Sequence, residues 1–288
     1  MINNRPNVPR SRMRLRFARR NEAMVLTQLQ QIKALRKIVL NSGLPVVLTG
    51  RSGIPKIAFG PAISLGYESL CEYADLYLAV YVSEKDVFSK IASVLPSFAP
   101  QPEADGALKG PSPAESLLSE ADLSSSVPPP NADGTSKGPG PAKLLLSEAD
   151  LSVGFELLDV KKIPIHFPSV ESLVNVSEYI ISGDMALRCS REKIAAFVAG
   201  ETINVVKNKP GGEKETINLK PLIIEFEPFQ KGVRLLLRFG PKKNIKPEIV
   251  VSLCSGMDNA GVCNPESGLS VIRKALYWED VSGKFFVP

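Results

Sequence analysis

The stretch Arg12-Met13-Arg14-Leu15-Arg16-Phe17 decides how the start of this chain is read. Arginine alternates with an apolar residue at every step, and a period of two is the mark of a strand with two different faces. Met13, Leu15 and Phe17 ask for a core. Arg12, Arg14 and Arg16 stand on the other face, about 7 Å apart at a rise of roughly 3.3 Å per residue. Such a row is either an ordinary solvated strand face or a surface that reads phosphates.

The residues beyond this strand predict an α/β opening. Leu26, Leu29, Ile32, Leu35 and Val39 recur at steps of three and four, so residues 24–42 read as an amphipathic helix. Gly43 is placed to end it. Leu44 to Leu48 reads as a second strand, followed by a turn-rich loop, Thr49 to Pro55, and a short extended piece, Lys56 to Phe59. Glu72 to Val82 alternates again, with Tyr73, Asp75, Tyr77 and Tyr81 opposite an aliphatic face. Tyrosines on an open sheet face can stack on bases, and they also pack against neighbouring elements. Ser83 offers an N-cap with Asp86 three residues on, and Val87, Phe88, Ile91 and Leu95 give a helical stripe ended by Pro96.

Residues 99–152 interrupt this pattern. Ala104 to Ser124 recurs at Ala132 to Ser152, identical at 16 of 21 positions with an offset of 28, and nine of the 24 prolines lie in the interval. Two copies are too few for a solenoid. The segment reads as a duplicated, disordered insertion, with a twice-presented docking peptide as the alternative.

A strand over Gly154 to Pro164 then completes βαββαβ, the ferredoxin-like order, over residues 12–164. The same grammar recurs: strands at Ser177–Ser182, Thr202–Lys207, Pro221–Phe226, Val233–Phe239 and Val271–Trp278, a helix over Glu192–Ala199 capped by Ser190, a tight turn at Lys209–Gly212, and a helix from Pro247 to about Cys254, with a loop over 255–268 after it. The expectation is an α+β chain of two tandem ferredoxin-like domains. Residues 1–11 form a flexible basic arm, 12–164 the first domain with its insertion, and 165–288 the second.

Composition narrows the function classes. At 288 residues and 44% apolar content the chain can build about two cores. No run approaches the ~18 apolar residues of a membrane span, and no secretory signal leads the chain. Cys71, Cys189, Cys254 and Cys263 are scattered, which suits reduced thiols in the cytoplasm better than a disulfide framework. No metal-ligand spacing and no cofactor fingerprint occurs; GxGxxG and Walker patterns are absent. The single histidine, His166, has no nucleophile motif beside it, so no catalytic residue is assigned. The net charge is +5, yet residues 99–152 hold eight acids against three lysines, and residues 1–20 hold seven arginines and no acid. An anionic partner would therefore be met at one edge. Arg12, Arg14, Arg16, Arg19, Arg20, Lys33 and Arg51 are the candidate phosphate contacts.

Several blocks resemble the radical-SAM-linked protein family, a bacterial domain of unknown function. They are Met13 to Phe17, Gly43-Leu44-Pro45, Pro55 to Ala62 including Phe59, Leu65 to Ser69, Glu72 to Asp75, Gly154 to Leu158 and Glu213 to Ile223. The resemblance covers about residues 12–98 and 153–254. It implies a partner, a cobalamin-binding radical SAM protein encoded beside or fused to the family member. The chain lacks CxxxCxxC, so it cannot hold that cluster itself. The family's first helix begins Leu-Ser-His-Leu-Asp, where this chain has Gln28 and Gln30. A later Lys-Glu-x-Asp-x-Arg pattern has Asn218 and Lys220 in its last two polar places. Amides keep hydrogen bonding and lose proton transfer. The sequence thus points to a non-catalytic accessory protein, RNA-related and working with a radical SAM enzyme. An RNA-processing enzyme on a ferredoxin-like scaffold and a protein-only scaffold are the alternatives.

Overall fold

A computed structural model of the chain describes residues 8–51, 53–95, 154–208, 214–240, 245–256 and 268–288. All belong to one compact unit. The expected insertion 99–152, residues 1–7 of the arm, Pro96, the Lys209–Gly212 turn and most of the 255–268 loop lie outside them.

Local signals place the elements. Strand β1 spans Ser11–Arg19. It starts earlier than expected, and Arg10 of the arm already donates its backbone N–H to Leu78 O at 2.8 Å. A short 3-10 turn over Asn21–Val25 then leads to helix α1, Gln28–Asn41. Thr27 and Gln30 form a reciprocal capping box at its start. Its buried side chains are Gln31, Ala34, Leu35, Ile38 and Val39, so the apolar stripe is rotated from the expected one and Leu29 is 62% exposed.

A hairpin of β2 (Leu48–Thr49) and β3 (Ile54–Pro55) precedes β4 (Ile57–Phe59) and β5 (Glu68–Leu78). Of the expected second strand at Leu44–Leu48, only Leu48 lies in a strand, the start of β2. Val46 makes only an isolated bridge to Leu78 at the end of β5, and β4 takes the second-strand place. The structure also moves the expected Glu72–Val82 strand four residues toward the N-terminus. Helix α2 (Glu84–Ala92) is capped by Ser83, whose Oγ accepts from Asp86 N at 3.1 Å. Strand β6 (Phe155–Ile163) closes the first half.

The second half runs through α3 (Val170–Leu173), β7 (Val176–Ser182), α4 (Asp184–Leu187), α5 (Arg191–Ala199), a hairpin of β8 (Asn204–Asn208) and β9 (Lys214–Asn218), β10 (Ile223–Phe229), β11 (Gly232–Arg238), α6 (Pro247–Ser255), β12 (Ser270–Glu279) and β13 (Phe285–Phe286). Ser190 caps α5, Pro247 stands at the first turn of α6, and Gly256 in the left-handed region stops it.

The large sheet joins the halves. In the first, the order is β6-β1-β5-β4; in the second, β12-β7-β11-β10, and neighbours within each are antiparallel. Both thus place their strands fourth, first, third, second, and both carry a hairpin between the first helix and the second strand. One edge of β5 is fully used by β1. The other is divided: residues 74–76 pair with β4, while Glu68 and Ser69 pair parallel with Ile272 and Arg273 of β12. The expected boundary at residue 164 is therefore crossed by a continuous sheet. It is also crossed by the second-half core, where Ile63 and Tyr67 pack with Ile181, Leu235, Val250 and Val251. At the β6 edge, the outward Lys162 N–H donates to Glu84 Oε1 at 2.6 Å, which caps part of an otherwise open ladder. Among the described residues no helix is long and apolar enough to cross a membrane.

Gly154 enters β6 at φ +87°, and a Cβ there would lie 2.2 Å from Arg20 O and 2.7 Å from Ala23 N. We expect Gly154→Ala to lower stability by roughly 2–3 kcal/mol, from backbone strain and the clash together. A urea titration checks this, with the midpoint falling and the slope unchanged.

Candidate functional site

The arginine row of β1 is not a solvent-facing surface. Arg12 is 1% exposed and Arg14 3%. Both face Asp75 of β5, which is 0% exposed and lies directly across from Arg14 in the ladder. Arg14 grips the carboxylate with two bonds, Nε to Oδ1 at 2.7 Å and Nη2 to Oδ2 at 2.9 Å. Arg12 adds Nη2 to Oδ2 at 2.6 Å.

The connection after β6 folds over this cluster. Ile165 O and Pro168 O accept from Arg12 at 3.3 and 3.1 Å, and Val170 N at the start of α3 donates to Asp75 Oδ2 at 3.0 Å. Two cations and one anion leave a surplus positive charge, and main-chain carbonyls solvate it in place of water. The Arg12 guanidinium also lies 5.2 Å from the Tyr77 ring, and that of Arg14 5.8 Å from Phe167.

The other expected contacts divide in the same way. Arg19 is fully buried and donates to four carbonyls, those of Ala23, Met24, Leu26 and Ser64. Burial lowers its pKa from the ordinary guanidinium value. Arg16 is half-buried and bonds Leu70 O at 3.3 Å. Arg20 is shared between Glu68 and Glu156 at 3.3 and 3.4 Å. Only Lys33 and Arg51 of the seven are exposed without an ion pair among the described residues. The alternation marked a strand correctly, but it could not show that Asp75 and the 164–170 connection close over its polar face.

The structure gives the family-motif positions mainly local jobs. Gln30 completes the α1 capping box, its Oε1 accepting from Thr27 N at 2.9 Å. Pro55 is buried in β3. Asn218 Oδ1 accepts from Ile203 N and Lys220 N at 3.1 and 3.0 Å, and Lys220 Nζ donates to Val198 O in the last turn of α5. Gln28 has a buried Oε1 without a hydrogen-bond partner.

Two further buried polar groups lie where the halves meet, and neither was among the expected site residues. Arg273 of β12 donates Nε to Glu72 Oε1 of β5 at 3.1 Å, and its Nη atoms reach Ala62 O and Pro61 O, each at 3.2 Å. Tyr67 donates its hydroxyl to the Glu248 carboxylate in the first turn of α6, beside a cavity of about 270 Å³ lined by Ser64, Tyr179 and Lys246 among others. On the second half, Glu178 accepts from Arg234 Nε at 2.8 Å, Lys274 Nζ at 3.2 Å and Tyr277 OH at 2.7 Å. Burial pushes the Glu178 carboxyl up, but these three donors outweigh it and hold the pKa below its ordinary 4.5.

What remains for an anion is a different surface. From Ala23 to Tyr67 the chain has no Asp or Glu, while Lys33, Arg36, Lys37, Arg51 and Lys56 lie in it. The interval builds α1, the β2–β3 hairpin and β4, and α1 packs against β3. Lys33, Arg51 and Lys56 are exposed. Arg36 lies over the Phe59 ring at 5.9 Å with an unpartnered Nε, and Lys56 over the Tyr77 ring at 4.6 Å. Arg36 and Lys56 were missed from sequence; the absence of acids from 45 consecutive residues was the signal that could have found them.

A family model described as an uncharacterized protein conserved in bacteria (DUF2344) matches residues 12–125 and 145–247. The match therefore extends into both ends of the 99–152 interval, which the sequence resemblance leaves outside the family, and only 126–144 within it are unmatched. No curated protein matches the chain.

The charge networks set two expectations. Asp75→Asn leaves two buried guanidiniums without a counterion and is expected to cost about 3–5 kcal/mol. Arg16→Ser removes one bond to a carbonyl at a half-buried site and is expected to cost about 1 kcal/mol; urea midpoints compare the two. Glu178, with its native pKa depressed, contributes stability above about pH 4.5 that is lost as pH falls through the native value. Below pH 4.5 the urea midpoint of Glu178→Gln should therefore fall less steeply with acid than that of the parent.

Proposed function

We propose, on the premise that the chain belongs to the DUF2344 family of uncharacterized proteins conserved in bacteria, that it is a non-catalytic accessory protein holding the phosphates of an RNA for a partner enzyme. The acid-free interval that builds α1, the β2–β3 hairpin and β4 carries this reading. Lys33, Lys37, Arg51 and Lys56 are exposed on it, and Arg36 lies over Phe59. Positive charge with no interspersed carboxylate attracts a polyanion at long range and releases counterions on contact.

Two of the three tyrosines that could stack on bases are engaged inside the protein, and the third, Tyr81, is exposed with Lys162 over its ring at 5.3 Å. Tyr73 is buried, and the Tyr77 ring is engaged by Arg12 and Lys56. Phosphate contacts position a strand and carry no sequence information. In this reading the chain is two ferredoxin-like halves fused edge to edge, a scaffold supported by the shared strand order, and it acts in the cytoplasm. The partner enzyme suggested by the sequence resemblance is a radical SAM protein.

The test is fluorescence anisotropy with single-stranded homopolymer RNAs across a salt series. The parent should bind poly-U, poly-A and poly-C alike. A K33E/R51E/K56E variant should lose at least about tenfold in affinity, and its log–log salt slope should drop by about 0.7 for each contact removed. An unchanged affinity and slope in that variant would overturn the assignment of this surface.

A further inference from the structure

Two thiols meet inside the second half, away from the basic surface. Cys189 lies between α4 and the Ser190 cap of α5, and Cys254 lies in the last turn of α6. Cys189 Sγ donates to Val251 O at 3.6 Å and lies 3.7 Å from Met185 O. Val251 and Cys254 are three apart on one helix and so share a face, one turn from each other. The Cys189 sulfur thus lies against the turn of α6 that carries Cys254. Both thiols are buried. Both α4 and α5 pack against α6.

The two sulfurs are not equivalent. The hydrogen bond from Cys189 holds the Cys254 thiol below its ordinary value, and the charge of Lys193 acts in the same direction. Cys189 is pushed up, by its bond to Cys254 and then by burial. Cys254, the more exposed of the two at 8% against 3%, is placed as the attacking thiolate and Cys189 as the resolving thiol. Cys71 gives the contrast within the same molecule. It is buried, bonds the Arg273 carbonyl at 3.4 Å, is pushed up to about 12 chiefly by burial, and has no thiol beside it among the described residues.

We propose that Cys189 and Cys254 are a redox pair that closes to an intramolecular disulfide on reaction with a hydroperoxide and reopens with a dithiol reductant. The Cys254 thiolate attacks the terminal peroxide oxygen; an S–O bond forms, the O–O bond breaks, and the departing oxygen takes up the proton that the Cys254 thiol released and leaves as water or alcohol. The Cys189 sulfur then attacks the resulting sulfenic sulfur, and the hydroxide displaced takes the Cys189 proton and leaves as water. Two thiols are oxidised by two electrons and one peroxide is reduced. The new bond ties the α4–α5 junction to α6. The same helix carries Glu248, which accepts the Tyr67 hydroxyl from the first half, so the staple also restrains the element that crosses between halves.

The experiment treats the full-length protein with hydrogen peroxide under native conditions and reads intact mass, non-reduced peptide maps and melting temperature. A loss of two hydrogen masses, a peptide linking residues 189 and 254, and a melting temperature that rises and then returns with dithiothreitol are expected. Cys71 should stay available to alkylation after denaturation. Cys189→Ser and Cys254→Ser should each abolish the cross-link, and Cys263→Ser should keep it. A cross-link between Cys254 and Cys263, sulfinic acids without a cross-link, or four cysteines still alkylatable would each overturn the proposal.

Discussion

A single carboxylate, that of Asp75, organises the first half of the molecule. It neutralises part of the charge on Arg12 and Arg14 at a point where none of the three side chains reaches water. Buried ion pairs add little net stability over apolar packing, but an unmatched buried charge is strongly unfavourable, so they act best as devices that fix register. Here the register fixed is β1 against β5, with Arg14 directly opposite Asp75. The surplus charge then draws the carbonyls of the 165–168 segment and the first N–H of α3 onto the sheet. A strand face that alternation alone would leave open is closed by the chain's own connection.

The second constraint is the divided edge of β5. Eleven residues long, it serves β4 with one part and β12 with another, and this makes one sheet out of two sets of four strands. Parallel pairing over two residues is too short to hold such a junction through ladder bonds alone. Arg273 with Glu72, the carbonyls of Pro61 and Ala62, and the Tyr67–Glu248 bond supply the rest. Each is buried, and each joins groups from different halves.

These internal uses of charge change what the basic composition means. Three of the N-terminal arginines solvate carbonyls or a carboxylate inside the protein, and a fourth is divided between two surface glutamates. The cations proposed to meet the phosphates come from an interval without acids, and they lie on a helix, a hairpin and a short strand in place of the sheet face.

Much of the secondary structure was legible from local sequence. Ser83 and Ser190 mark helix starts, Pro247 opens α6, and Arg12 to Phe17 alternates as a strand must, whereas the Thr27 cap went unread and the first helix was begun at residue 24 in place of 28. These signals work because capping, backbone freedom and side-chain period act within a few residues. The second strand was misplaced because Leu44 to Leu48 is apolar and extended whether or not it finds a neighbour. Of the side chains offered as phosphate contacts, Lys33 and Arg51 are exposed, whereas Arg12, Arg14 and Arg19 are interior. By itself the sequence determined which residues share a face of β1; only the tertiary structure decided that this face is interior. The partner that settles the matter, Asp75, stands more than sixty residues away from both arginines, and a side-chain period carries no information about what a distant segment will lay across it.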